Sequence, residues 1–120
     1  MFLSTGILQY GPGIRLVLLA DQGIADFYLS LVPKSLKVKP QFYPAHVSVV
    51  RREEPPNLGA WGLYEGLEVE FEYQPYIAND ETYYWLPVQC KRIEEIRTEL
   101  GLRPYPWWRN GYHLTIGNIK

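Results

Sequence analysis

Two short stretches hold the residues whose types and spacing could do chemistry: Ala45-His46-Val47-Ser48-Val49 and Tyr112-His113-Leu114-Thr115-Ile116. His46 and His113 are the only histidines in the sequence, and each is followed two residues later by a hydroxyl, Ser48 or Thr115. Side chains at i and i+2 of a strand share a face. Each stretch therefore presents an imidazole beside a hydroxyl, while Val47, Val49, Leu114 and Ile116 anchor the strand in the core. Two such strands together would gather two imidazoles and two hydroxyls around one small space. That set suits phosphodiester cleavage without a metal. A neutral imidazole removes a proton from the nucleophile, and a protonated one donates a proton to the departing oxygen. The hydroxyls hydrogen-bond the non-bridging oxygens as charge gathers there. Two coupled imidazoles near neutrality give a bell-shaped rate profile whose apparent pKa values belong to the pair.

Other chemistries fit less well. A lone strand histidine is ordinarily a hydrogen-bonded structural residue, but two in matching contexts favour function. Imidazoles also bind zinc, which needs a third ligand that no short spacing here supplies. A serine nucleophile needs an orienting acid, and Ser48 sits on a strand rather than at a sharp strand-to-helix turn. No metal ligand is assigned.

The elements that must position these residues follow from local patterns. Ser4 to Gln9 reads as a short strand ending at the turn Tyr10-Gly11-Pro12-Gly13. Ile14 to Ala20, aliphatic around Arg15, reads as a buried strand. Asp21 caps a helix with Ile24, Phe27, Tyr28 and Leu31 on one face, closed by Pro33. Pro40 and Pro44 keep the basic connector of Lys34, Lys37 and Lys39 extended. Tyr43 to Val50 alternates as a strand, with His46 and Ser48 on one side. Arg51 to Gly66, with Pro55-Pro56 and three glycines, is a surface loop of the kind that can cover a cleft. Leu67 to Tyr73 alternates with Glu68, Glu70 and Glu72 on its wet side. After a turn at Asn79-Asp80 comes a strand from Thr82 to Val88, where Pro87 argues for a bulge or an edge. Lys91 to Leu100 is a helix with Ile93, Ile96 and Leu100 inward and Gly101 as its stop. Arg103 to Asn110 is an aromatic loop, and Gly111 to Gly117 is the last strand. Strand, helix, connector and motif strand thus occur twice, over residues 14–50 and 82–117.

Composition bounds the partners. The 120 residues, 47% apolar and 21% charged, make one domain, 1–120, with a genuine core. A net charge of −1 gives no broad attraction for a long nucleic acid or an anionic membrane, so a small ligand in a local pocket is favoured. The single cysteine, Cys90, rules out an internal disulfide and suits a reducing compartment. Met1-Phe2-Leu3-Ser4 shows no secretory leader pattern, and the longest apolar run is too short to cross a bilayer. A cytoplasmic protein is expected.

The tandem His46-Val47-Ser48 and His113-Leu114-Thr115, each on the returning strand of a strand–helix–strand half, resembles the two-histidine (2H) phosphoesterase superfamily. Three stretches resemble the small phage anti-CBASS phosphodiesterases that degrade cyclic oligonucleotide alarm signals: Asp21 to Tyr28, Pro44 to Ser48 and Trp108 to Asn118. The resemblance implies an α+β bilobed fold of two pseudo-symmetric halves around a central cleft. It implies metal-independent cleavage without a cofactor, with His46 and His113 catalytic, Ser48 and Thr115 binding phosphate, and aromatics holding the bases. Tyr10 is the first candidate for that last role, followed by Trp85 and Trp107. It also implies action in the host cytoplasm if the protein is phage-encoded. Two alternatives stay open: a phosphodiesterase for RNA 2′,3′-cyclic ends or 2′–5′ oligonucleotides, and a module that sequesters a nucleotide without cutting it.

Overall fold

A computed structural model describes residues 1–108 and 111–120. Arg109 and Asn110, which belong to the expected aromatic loop and to the last resembling stretch, lie outside the described residues. Eight strands and two α-helices form among the described residues. In chain order they are β1 (Phe2–Gly11), β2 (Arg15–Leu19), α1 (Gln22–Ser30), β3 (Lys39–Pro40), β4 (His46–Val50), β5 (Glu68–Tyr73), β6 (Ala78–Asn79), β7 (Tyr83–Gln89), α2 (Lys91–Glu99) and β8 (Tyr112–Asn118). Six of the strands close on themselves in the order β1, β2, β4, β8, β7, β5 and back to β1, every neighbour antiparallel. Closure of this kind leaves no open sheet edge in the ring. The two-residue strands β3 and β6 extend it beside β8 and β7.

The closed barrel corrects the expected bilobed fold. Each expected half does contribute an antiparallel pair, β2 with β4 and β7 with β8. The halves do not separate into lobes, because β1 spans ten residues rather than six and pairs with β2 on one side and β5 on the other. β5 continues to β7, so the ring is stitched on the side away from the motifs as well. Close strand packing is built into this seam: a Cβ on Gly6 of β1 would fall 2.4 Å from the Leu19 carbonyl oxygen.

The apolar faces of the strands, including Leu8, Leu16, Leu18, Val47, Phe71, Leu86 and Leu114, form one core with both helices. Asp21 caps α1 by accepting a hydrogen bond from the Gly23 amide at 2.8 Å. The helix buries Ala25 and Tyr28, whereas Phe27 is 57% and Leu31 58% exposed, so the expected apolar stripe is rotated. α2 buries Ile93, Ile96 and Leu100 completely, and Gly101 ends it with φ of 85°.

Three further expectations are revised. The basic connector is not extended throughout: Lys34–Leu36 makes a short 3-10 turn and Lys37 is left-handed before Lys39 pairs with Asn118. Pro87 marks neither an edge nor a bulge, since β7 is paired on both sides and its irregularity falls at Tyr84/Trp85. The 51–66 segment is a docked wall rather than a flap. The Asn57 amide donates to the Leu100 carbonyl at 3.0 Å, the Gly66 amide to Leu8 at 2.8 Å, and the Tyr64 hydroxyl to Glu99 at 2.8 Å. Glu68 and Glu70 face solvent, and among the described residues no three His, Cys, Asp or Glu side chains are grouped to hold a metal. No helix among them is long and apolar enough to cross a membrane.

Candidate active site

β4 and β8 lie side by side and antiparallel, with Val47 opposite Leu114. Continued one residue each way, that register sets His46 opposite Thr115 and Ser48 opposite His113. The four polar side chains share the face turned away from Val47 and Leu114, both of which are fully buried. The two histidines stand diagonally across the strand pair, at about 7–8 Å between backbones, the usual spacing for such a diagonal. A local twofold axis through the Val47–Leu114 pair relates one motif to the other. The symmetry that the sequence suggested for whole lobes thus resides in the strands themselves.

The outer partners obey the same axis. Val17 of β2 pairs with Ser48, but its neighbour Leu16 pairs with Val50, so Val49 is an extra residue. Trp85 of β7 pairs with Thr115, but Tyr84 pairs with Gly117, so Ile116 is the matching extra residue. Each motif strand therefore carries a bulge just after its hydroxyl residue. Bulges twist a strand and re-aim the side chains beyond them. Here the bulge lets Val49 and Val50 both be fully buried, and the chain then leaves β4 at Arg51 on the rim of the cleft.

His46 is held in one tautomer. Its Nδ1 lies 2.8 Å from the Pro44 carbonyl oxygen, which can only accept, so Nδ1 carries the proton and Nε2 keeps its lone pair in the neutral ring. The approach to β4 is fixed by two bonds: the Ala45 amide donates to Gln22 of α1 at 2.8 Å, and the Ala20 amide to the Ala45 carbonyl at 2.9 Å. Burial lowers the His46 pKa below its ordinary 6.5, and the Arg15 and Arg51 charges push the same way against the opposing Pro44 bond. His46 is accordingly neutral at pH 7. His113 is buried, with the Trp85 ring edge-on at 6.1 Å between centroids and Pro87 as its cross-strand partner.

All four motif residues line a cleft of about 1140 Å³. Arg15, Tyr43, Arg51, Arg52, Tyr83 and Trp107 line it too. The Arg15 guanidinium lies 5.6 Å from the Tyr43 ring centroid, and that of Arg51 lies 5.4 Å from Trp108. Both are distances at which a cation is held over a ring face. Arg52 is left-handed at φ 55°, a conformation that costs a non-glycine residue of order 1 kcal/mol and often marks a functional rim. Beneath this wall, Arg97 of α2 is 1% exposed and makes four hydrogen bonds, with at least one from each guanidinium nitrogen. Its two terminal nitrogens hold both oxygens of Glu53 at 2.7 and 2.8 Å, one also donates to the Val49 carbonyl at 2.8 Å, and its Nε donates to Arg103 at 2.8 Å.

No protein-family model, curated protein or solved structure matches the chain. The site therefore stands on its own geometry.

Of the candidate aromatics, Trp107 lines the cleft, half exposed, with its indole nitrogen donating to the Arg51 carbonyl at 3.3 Å. Trp85 stands beside His113 rather than among the cleft-lining residues. Tyr10 is not brought together with them: its ring packs on Trp61 at 4.8 Å, its hydroxyl accepts from the Tyr64 amide at 3.3 Å, and it is not among the described cleft-lining residues. Sequence patterns alone do not single out Arg15, Arg51, Tyr43 and Tyr83. A signal existed for two: Arg15 is the lone charge bordering the apolar run to Ala20, and Arg51 follows Ser48 by three residues.

Proposed function

We propose that this protein is a metal-independent phosphodiesterase of the two-histidine type that opens cyclic oligonucleotide second messengers of bacterial antiphage immunity. The reading rests on the β4–β8 register, which sets two imidazoles and two hydroxyls on one face of adjacent strands at the floor of a cleft. His46, neutral and with a free lone pair at Nε2, takes the proton from the attacking hydroxyl. A new P–O bond forms to that hydroxyl oxygen, the P–O bond to the departing sugar oxygen breaks, and His113, protonated at the start, donates its proton to that oxygen. Ser48 and Thr115 donate to the non-bridging oxygens, where preorganised donors stabilise the charge that accumulates. Arg15 and Arg51 line the cleft beside this quartet and give its wall a positive character. Both protons are thus managed by side chains, and the chemistry calls for no Lewis acid.

A cyclic oligonucleotide is favoured over long RNA by the near-neutral chain and the local character of the cationic wall. Such messengers are made in the cytoplasm of an infected cell, and a buried free Cys90 suits that reducing compartment. The test is incubation with cyclic di- and trinucleotides and an RNA bearing a 2′,3′-cyclic end, read by product mass. Attack by the neighbouring ribose hydroxyl opens the ring without changing its mass, and attack by water adds one water. Activity confined to the RNA end would support the RNA alternative. If the intact protein alters none of these substrates, or if EDTA abolishes turnover, the proposal fails.

A further inference from the structure

The quartet of His46, Ser48, His113 and Thr115 is fully engaged by one phosphorus: two proton carriers for the bridging oxygens and two hydroxyls for the others. The cleft is larger than that task needs. At about 1140 Å³ it exceeds the 300–1,000 Å³ usual for a single small-molecule pocket. Its cations are also off-centre. Arg15 sits on β2, one strand outward from β4 and two residues beyond Val17, the partner of Ser48, which is about 7 Å along the strand. Arg51 follows the Val49–Val50 bulge at the same end of the quartet. The position related to Arg15 by the local twofold axis is Tyr83, whose ring carries the Lys120 ammonium at 4.8 Å from its centroid, so of the two related positions only Arg15 brings a guanidinium to the cleft lining.

Arg51 is also built in. Trp107 donates to its carbonyl at 3.3 Å, and Trp108, 5% exposed, lies under its guanidinium at 5.4 Å and over that of Arg97 at 5.8 Å. Glu53, two residues on, is clamped by Arg97 through two hydrogen bonds. That pairing neutralises Glu53, one of the two carboxylates among the described lining residues, the other being Glu54. A cation held in place in advance loses little freedom when an anion arrives.

Resting on the proposed phosphodiesterase reading, we propose that Arg15 and Arg51 form a second anion subsite for a non-scissile phosphate. The cleft then selects compact molecules with at least two phosphodiester groups over those with one. Guanidiniums suit this role because their planar donors pair with two phosphate oxygens at once.

The experiment compares a cyclic dinucleotide with its analogue in which one of the two phosphodiesters is a neutral methylphosphonate. Affinity by calorimetry and kcat/KM are measured for wild type, Arg15→Met, Arg51→Met and the double variant. Wild type is expected to bind the analogue on the order of 10- to 100-fold more weakly, the scale of a hydrogen bond to a charged group, with the loss appearing in KM. The double variant should lose that factor on the natural ring and nothing further on the analogue. Arg15→Lys and Arg51→Lys, which keep the charge, should retain most of the discrimination. Equal losses on both ligands would mean that the arginines serve the scissile phosphate, and that would overturn the subsite. So would wild-type binding that ignores the neutral linkage. Arginine-dependent discrimination without cleavage would instead sink only the enzymatic reading, so the two failures are separable.

Discussion

Replacing Arg97 by methionine tests whether the cleft wall is held from beneath. The substitution keeps much of the volume but removes donors to both Glu53 oxygens and to the Val49 and Arg103 carbonyls. The Glu53 carboxylate, 14% exposed, would remain mostly buried without its cation. Removing one member of such a pair costs about 3–5 kcal/mol. Each carbonyl that water cannot reach adds about 1 kcal/mol or more, so the upper end of that range is expected. In a domain of this size each kcal/mol moves the melting midpoint by about 3–5 °C, so Arg97→Met should melt on the order of 15–25 °C earlier. Urea unfolding followed by both fluorescence and circular dichroism measures the loss and tests two-state behaviour. The Glu53→Leu/Arg97→Met double variant has no orphaned charge and should recover most of the stability, because an apolar pair of similar volume often replaces a buried ion pair at little cost. A loss below about 1 kcal/mol in the single variant, or a double variant no better than the single, would refute the reasoning.

Other consequences concern the floor and walls of the site. Ser48→Ala and Thr115→Val should each lower kcat by about 10²–10³ with little change in KM, as for loss of one preorganised donor to a developing anion; an effect confined to KM would contradict that role. Because burial and the two arginines hold His46 below 6.5, the acid limb of the kcat/KM profile should lie below pH 6.5, where this base becomes deprotonated. Arg51→Met removes a positive charge near the ring, so His46 should titrate at higher pH and the limb should move up; a limb that stays put would argue against the assignment of His46 as base. Trp107→Ala should weaken binding of a cyclic dinucleotide on the order of tenfold through lost stacking. Tyr10→Phe, which loses only a hydrogen bond to the Tyr64 amide, should leave that affinity unchanged.

The residues of the site were legible in the sequence because their signal is local. His-x-Ser and His-x-Thr on alternating strands need only the period of two to share a face, and the register of β4 on β8 then brings them together. Most elements were legible for a similar reason: α2 has a clean apolar period, and Asp21 is a strong cap. The closure of the barrel was not. It depends on which strands β1 chooses as neighbours, and Phe2, Leu3 and Ile7 of β1 are exposed enough that its pattern does not announce a ten-residue strand with two partners. The rotated face of α1 has a comparable cause, since Tyr28 finds Tyr73 of β5 at 6.1 Å whereas Phe27 packs only edge-on against Tyr28 at its exposed side. The bulge at Val49 leaves no glycine or proline in the sequence to betray it, because the extra residue is a buried aliphatic, whereas its counterpart at Ile116 is marked only by Gly117 beside it. Arg51 was hidden by the same feature, as a strict alternation from His46 does not foretell where the chain leaves the strand.

The most direct measurement is single-turnover cleavage of a cyclic dinucleotide by wild type, His46→Ala, His113→Ala and the double variant, with affinity followed alongside. Imidazoles that serve one phosphorus as a unit predict that either single substitution slows the chemical step by several orders of magnitude. The double substitution should then be hardly worse, and the dissociation constant should stay within about tenfold of wild type. A single variant that turns over at the wild-type rate would contradict the account at its centre.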